Sequence, residues 1–233
     1  RYDRATEVYE QGIAQFPDSV QLYLYWGLLM EDMDHWEEAI EHYQRALQVV
    51  GPDVELYLRW GICLGRLSRW QEALSLYEAA SEVDAEHGQV WLHWGIALQQ
   101  VACWEDAIEK LNAAVPLLPD DHNVLFYLAS CYERASRELE NGDYFASAVE
   151  TFRTIIEANP EDAFALNYLG YMYAEKGINL EEAVQLLLRA IAIDPNNSAF
   201  LDSLGWAYFQ LGDLAEDTRA TSETKRKKLI KRL

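Results

Sequence analysis

The sequence is poor in the residues and motifs that mark catalysis or metal binding. Its three cysteines are odd in number and match neither a zinc-binding nor a CxxC spacing, so we interpret them as structural thiols. The five histidines are scattered, and no phosphate-binding glycine loop, HExxH motif or nucleophile elbow occurs. The sequence therefore predicts a protein that is not an enzyme and that has no cofactor and no metal site.

Long apolar runs are also missing, since none reaches the length that crosses a membrane. The sequence begins at Arg1 without an initiator methionine, so a signal peptide or lipid anchor upstream would not be visible. We expect a cytoplasmic protein, in keeping with unpaired cysteines. A periplasmic or lipid-anchored location is the alternative if a signal precedes Arg1.

Basic residues are scarce except at one place. Six of the 19 Lys and Arg lie within 225–232, so residues 1–224 carry 13 Lys and Arg against 39 Asp and Glu, a net charge of −26. Such a body repels nucleic acid phosphates and anionic membrane surfaces and favours basic partners. The basic tail is interpreted in three ways: it docks on an acidic apolar groove, it is a solvated tail, or it anchors to an anionic surface.

What the sequence does contain is an internal period. Gly27, Gly61 and Gly95 recur at a constant interval of about 34 residues, within the range of periods that indicates an array of supersecondary units. Each of these glycines follows a tryptophan. The same interval separates further tryptophans and two sets of alanines: Trp36, Trp70 and Trp104; Ala39, Ala73 and Ala107; Ala46, Ala80 and Ala114.

Each period divides into two helices with apolar residues at helical spacing. Asp34 with Glu37 matches a capping box at the start of a second helix, and Asp53 and Ser68 are predicted as further helix caps. Because the turns between helices are short, the two helices of a unit must be antiparallel neighbours.

The fourth unit departs from the period. Ala129 replaces the glycine, and the interval from Ala129 to Gly170 is longer than the period by seven. We place this insertion near 136–147, around a turn signal at 141–143. The sequence predicts a lengthened first helix or a projecting loop there.

Both ends are incomplete. Residues 1–19 are interpreted as the second helix of an incomplete N-terminal repeat, and 20–213 as about five full repeats plus the start of a sixth. Residues 214–233 form a degenerate C-terminal segment with the basic tail. Three polar residues of that segment stand where other units have alanine or an aromatic residue: Asp217, Thr221 and Thr224.

These patterns resemble the tetratricopeptide repeat (TPR) family, and in particular its bacterial members, over about residues 2–213. One unit matches the family pattern at Leu169, Gly170, Tyr173, Ala183, Ala190 and Pro195, and another matches it at Ala39, Tyr43 and Ala46. The resemblance implies an all-α fold, a right-handed superhelical solenoid of antiparallel helix pairs. It also implies that the concave face, lined by the first helices, binds peptides or proteins.

By resemblance to the family, eleven residues of this sequence are predicted to line that groove: Leu24, Leu28, Leu58, Ile62, Leu92, Ile96, Phe126, Asn167, Tyr171, Asp202 and Trp206. The early part of the groove is then apolar and the late part aromatic with hydrogen-bonding groups. The alternative, which the sequence leaves open, is that some of these side chains pack against neighbouring helices. Family members that grip acidic C-termini use lysine and asparagine at these places, so that role is not expected here.

The predicted function is a non-catalytic scaffold or adaptor that holds a protein, peptide or helix in the concave groove. The expected ligand is basic and has apolar anchors. The alternatives are a self-associating repeat protein that pairs through the C-terminal end, around Trp206 and Phe209, and a regulatory domain of a larger protein.

Overall fold

The computed structural model describes residues 2–212, with side chains described for 4–212 other than residue 122. Every regular element among these residues is a helix, which confirms the all-α fold class. The degenerate segment 214–233 and its basic tail lie outside the described residues. None of the described helices is long and apolar enough to cross a membrane.

The chain divides into two compact units, 1–138 and 139–233. The first unit contains eight described helices: α1 (Tyr2–Gln15), α2 (Val20–Asp32), α3 (Trp36–Val50), α4 (Val54–Arg66), α5 (Trp70–Val83), α6 (Gly88–Gln100), α7 (Trp104–Leu117) and α8 (His122–Glu138). The second contains α9 (Gly142–Ala158), α10 (Ala163–Lys176), α11 (Leu180–Ile193) and a helix over 198–212, here α12.

Within the first unit, α2, α4 and α6 each pack against the helix that follows, and α4 and α6 also touch the next first helix along. The close approach within a pair depends on glycine. A Cβ atom built on Gly61 would lie 2.5 Å from Cε1 of Tyr77, and one on Gly95 would lie 2.5 Å from Cγ of Leu111. A small residue at this position of the first helix therefore admits a large side chain from the second.

The residues around each large side chain are small and fully buried. Ala73 and Ala80 stand on either side of Tyr77 in α5, and both are completely buried. In the second unit Ala183 and Ala190 stand on either side of Leu187 in the same way. The repeating core is thus a large side chain between two alanines, seated on a glycine.

The caps of the second helices differ from the prediction. Asp34 and Ser68 have φ angles of +59°, and the N-cap residues of α3 and α5 are instead His35 and Arg69, which form no side-chain capping bond. Asp34 and Ser68 therefore end the preceding turn in the left-handed region instead of capping the next helix. The cap at Asp53 is confirmed, since its Oδ1 accepts a hydrogen bond from the Leu56 amide at 3.0 Å.

The extra residues of the fourth unit lengthen its two helices, α8 and α9. α8 has 17 residues where α4 and α6 have 13, and α9 also has 17. Between α8 and α9, Asn141 caps α9 by accepting a hydrogen bond from the Asp143 amide at 2.9 Å. The boundary between the two compact units falls at this turn.

Candidate peptide-binding clefts

The residues predicted to line the groove of the first unit fall into two groups. Leu58 and Leu92 keep only 4% of their surface exposed, so they belong to the core and offer a ligand almost no surface. Five are half-buried and keep a face outside the core: Leu24, Leu28, Ile62, Ile96 and Phe126. Leu58 and Ile62 are four residues apart, which places them about 40° apart around the helix axis. Ile62 lies on the more open side of α4, so it is less buried than Leu58.

Two of the predicted residues, Ile62 of α4 and Ile96 of α6, meet in one cleft of about 380 Å³, here called the Ile62 cleft. Its other lining residues come from α4, α5, α6 and α8: Gly65, Arg66, Trp70, Tyr77, His93 and Tyr127. Four repeating helices therefore contribute to a single concavity. Its walls are aliphatic and aromatic, which suits an apolar side chain of a ligand.

The aromatic wall is positioned by the repeat itself. A Cβ atom on Gly65 would lie 2.7 Å from Cζ3 of Trp70, so the missing side chain lets the indole lie against α4. The His93 imidazole stacks on the Tyr77 ring, with centroids 6.4 Å apart. Burial, together with the charges of Arg59 and Arg66, lowers the pKa of His93 to about 4. The imidazole is therefore neutral at pH 7.

A network of charged and polar groups joins α2, α3 and α4 beside the core. The Tyr43 hydroxyl donates a hydrogen bond to Glu31, whose carboxylate also lies 3.7 Å from Arg59. Arg59 Nε donates to Glu55 at 2.7 Å, and His87 Nε2 lies 3.9 Å from the same carboxylate. Burial raises the pKa of Glu31, and the Tyr43 hydrogen bond and Arg59 oppose that shift. The carboxylates of Glu31 and Glu55 are thus already paired with Arg59.

Arg66 sets the charge of the Ile62 cleft. It is exposed at the cleft and its guanidinium lies 5.6 Å from the centroid of the Trp36 ring. A stacked guanidinium holds its side chain along the helix surface and keeps its charge in water. Among the described residues that line the cleft, Arg66 is the one charged side chain, since His93 is neutral, so the lining is cationic although the chain as a whole is acidic.

Sequence reasoning missed several residues of this site. The sequence pattern includes Trp70 only as part of the repeat, and it does not single out Tyr77, Tyr127 or the nearby Arg59. The Glu55–Arg59 spacing of four residues was a readable signal, since such a pair lies on one face of a helix. No comparable local signal places Tyr127 in the same cleft as Ile62, because α4 and α8 belong to different repeats and come to share a cleft only in the packed unit.

The second unit has a larger cleft, of about 630 Å³, here called the Trp206 cleft. It is lined by Tyr171 of α10 and by five residues of α12: Leu201, Asp202, Gly205, Trp206 and Phe209. Trp206 stacks on Phe209 with ring centroids 5.4 Å apart, and 40% of Trp206 is exposed. Three predicted groove residues, Tyr171, Asp202 and Trp206, are therefore together in this unit.

Asn167, the remaining predicted residue, is half-buried in α10, one turn before Tyr171. Its Oδ1 atom is buried and has no hydrogen-bond partner among the described residues. A buried acceptor of this kind is stabilised by any donor that reaches it. In the described part of the chain, no group of three or more His, Cys, Asp or Glu could hold a metal ion.

Comparison with known proteins identifies the same architecture. A tetratricopeptide repeat family model matches residues 26–88 and 132–198, and a second tetratricopeptide repeat model matches 186–217. The TPR repeat-containing protein PA4667 of Pseudomonas aeruginosa is 35% identical over 101 residues. That match spans 43% of this chain and only 16% of the relative's length.

Solved structures show the same fold. YrrB, described as a TPR protein with an unusual peptide-binding site, has a TM-score of 0.68 and 22% identity, with 84% of this chain and 96% of YrrB covered. PilF of Pseudomonas aeruginosa has a TM-score of 0.68 and 17% identity, with 86% and 88% covered. At these identities the similarity speaks for the fold alone.

Proposed function

Because the chain belongs to the tetratricopeptide repeat family, we propose that it is a non-catalytic scaffold that binds a peptide or helix of another protein. The Ile62 cleft of the first unit is the site of that binding. The observation that carries the proposal is the meeting of Ile62, Ile96 and three aromatic side chains around one open concavity.

The shape and lining of the Ile62 cleft favour an apolar anchor. A volume of about 380 Å³ accommodates one or two large side chains of a ligand. The half-buried leucines of α2, Leu24 and Leu28, extend the series of apolar side chains on the first helices. A ligand with several apolar anchors along one face matches such a series.

The charge of the chain favours a basic ligand. Residues 1–224 carry a net charge of −26, which attracts a basic segment over long distances at low salt. Arg66 opposes this at the Ile62 cleft itself, so the basic residues of the ligand would flank its apolar anchor instead of entering the cleft.

The similarity to YrrB supports peptide binding as the activity, since that protein is described as having a peptide-binding site. Self-association through the C-terminal end and a regulatory role within a longer protein stay predictions from the sequence. A cytoplasmic location likewise stays a prediction.

A random-peptide display library panned against the full chain would test the proposal. We expect the selected peptides to combine apolar anchors with Lys or Arg, and to bind more weakly as salt is raised. Ile62→Glu, which buries a charge in the cleft, should weaken them by about tenfold or more.

The matched control is Val83→Glu. Val83 is 43% exposed at the end of α5, in the same unit but outside the cleft, so this change adds the same charge without touching the site. Equal loss of binding in the two variants, or no loss in either, would reject the Ile62 cleft as the binding site.

A further inference from the structure

The last described helix, α12, presents a first-helix face that no described residue covers. Gly205 of α12 corresponds to Gly170 of α10 in the preceding repeat. A Cβ atom on Gly170 would lie 2.7 Å from Cγ of Leu187, whereas a Cβ on Gly205 would have no described atom within 4 Å. In the other repeats that have this glycine, a large side chain from the next helix packs on it, whereas no described residue packs on Gly205.

The neighbours of Gly205 are open as well. Leu166 and Tyr173 of α10 are 0% and 2% exposed, but their equivalents in α12, Leu201 and Tyr208, are 52% and 51% exposed. We call Leu201, Gly205 and Tyr208 the α12 notch. It has the chemistry of a helix–helix interface and the exposure of a surface, a combination typical of interaction sites.

Four interfaces inside the chain show what fills such a notch. The glycines of α2, α4, α6 and α10 each receive one large side chain from the next helix: Tyr43, Tyr77, Leu111 and Leu187. Each is preceded by an alanine four residues earlier and followed by one three residues later, and all eight alanines are completely buried. The occupant of the notch is therefore a helix carrying alanine, then leucine or tyrosine, then alanine, at this spacing.

This chain does not supply that pattern after α12 at the repeat's own spacing. At the spacing that follows Gly27, Gly61 and Gly95, the corresponding residues are Asp217, Thr221 and Thr224, all polar. Burying an aspartate and two threonines against an apolar notch would leave polar groups without partners. At the spacing that follows Gly170, which is one residue longer, the corresponding residues are Thr218, Ser222 and Lys225, which are also polar. Neither spacing therefore places an apolar residue opposite Gly205.

We propose that the α12 notch binds an amphipathic helix of a partner protein, with a leucine or tyrosine seated on Gly205 between two small residues. The notch overlaps the Trp206 cleft, because Leu201 and Gly205 line both. Asp202, which is exposed and also lines that cleft, and the net charge of −20 favour a partner helix with positive charge. The interface continues the packing that already joins α10 to α11. This site is distinct from the Ile62 cleft, and either can fail without the other.

The probe is a fluorescent peptide with the sequence of α11, residues 180–193, because α11 fills the equivalent position on α10. A staple replacing the exposed Glu181 and Gln185 supplies the helical conformation that so short a peptide lacks in water, and Glu182→Lys makes the peptide basic. Fluorescence anisotropy with the full chain should show saturable binding. Leu187→Asn in the peptide should weaken it about tenfold or more.

Gly205→Leu in the protein is the decisive variant. The position is open among the described residues, so the protein should fold as before, while the new side chain blocks the approach of the peptide and binding falls about tenfold or more. Gly142→Leu, also at a helical glycine with open surroundings, is the matched control and should bind normally. Asp202→Lys, a surface change, should weaken the basic peptide several-fold.

Three results would overturn the proposal. One is no saturable binding to the full chain, or binding that Gly205→Leu leaves intact. Another is binding that appears only after Leu229→Ser and Ile230→Ser, because the chain's own C-terminal residues would then occupy the notch. The third is concentration-dependent sedimentation abolished by Gly205→Leu, which would make a second copy the occupant.

Discussion

Single residues decide how closely the helices of a unit approach. Tyr77 is 2% exposed, and Cε1 of its ring would lie 2.5 Å from a Cβ atom built on Gly61. Although Tyr77 also lines the Ile62 cleft, a rigid ring so fully buried has little room to move aside, unlike the end of a flexible side chain. Glycine at this place is therefore a packing requirement, and its helix propensity is a secondary effect.

We accordingly expect Gly61→Ala to destabilise the protein by about 1–3 kcal/mol, because the overpacking outweighs the better helix propensity of alanine. Thermal unfolding followed by circular dichroism measures the effect. Gly205→Ala is the matched control, since the same change in α12 meets no described atom within 4 Å and should be neutral or slightly stabilising. Equal losses in the two variants would contradict this account of the glycine.

His42 makes stability depend on pH. Its ring stacks on Trp26 with centroids 4.0 Å apart, and its Nδ1 is buried without a hydrogen-bond partner among the described residues. Burial, and then Arg45, lower its pKa to about 4 from an ordinary 6.5. As the pH falls, the unfolded chain takes up this proton at a higher pH than the folded chain does. The contribution of neutral His42 to the free energy of unfolding is therefore complete above pH 6.5 and is lost as the pH falls towards 4.

His42→Phe keeps the stacking and removes the titration. Wild type should therefore lose about 1–3 kcal/mol more stability than the variant between pH 7 and pH 4.5. The melting temperatures of both proteins across this pH range measure the difference. The effects of carboxylate titration are common to both proteins and cancel in it. Parallel curves for the two proteins would contradict the assignment to His42.

At the scale of the element, the turns inside each helix pair share one backbone conformation. Asp34, Ser68 and Ala102 stand one repeat period apart, and each has φ of +59°. Gly177 follows α10 with φ of +65°. Glycine takes this region without strain, aspartate tolerates it, and alanine does not. The turn is therefore imposed by the packing of the two helices it joins, whatever residue occupies it.

Ala102→Gly should stabilise the protein by about 0.5–1 kcal/mol, because relief of the left-handed strain exceeds the added entropy of the unfolded chain. Ala102 is exposed, so no packing is lost. The melting temperature checks this. As a control, Ala97→Gly inside α6 should destabilise the protein. A loss of stability in Ala102→Gly would contradict the strain argument.

The helices themselves were predictable from the sequence, but their caps and the lining of the clefts were less so. Gly27, Gly61 and Gly95 reveal the pairs because their spacing is visible along the chain. Asp34 and Ser68 matched capping sequences and yet lie in turns, because backbone conformation there follows the helix pair and not the local residues. Leu58 and Ile62 look alike in sequence, and only the packed helices separate core from surface.

At the scale of the whole molecule, charge opposes compactness. With a net charge of −20 and 39 acidic residues, the folded chain repels itself more than the expanded one does. We expect the melting temperature at pH 7.5 to rise by about 2–6 °C when sodium chloride increases from about 10 to about 200 mM, because salt screens the repulsion. Choline chloride should raise the melting temperature in the same way, because screening depends on ionic strength. A melting temperature that is flat or falls with salt would contradict self-repulsion.

The sequence by itself determined the family, the helical repeat and the sites of its irregularities, because a fixed period, a glycine and its flanking alanines are properties of the chain in one dimension. Only the tertiary structure decided that Leu58 and Leu92 are core, that Arg59 pairs with both Glu31 and Glu55, and that Tyr127 lines the same cleft as Ile62. The reason is physical: exposure and pairing depend on which side chains lie opposite one another, and those come from helices far apart along the chain.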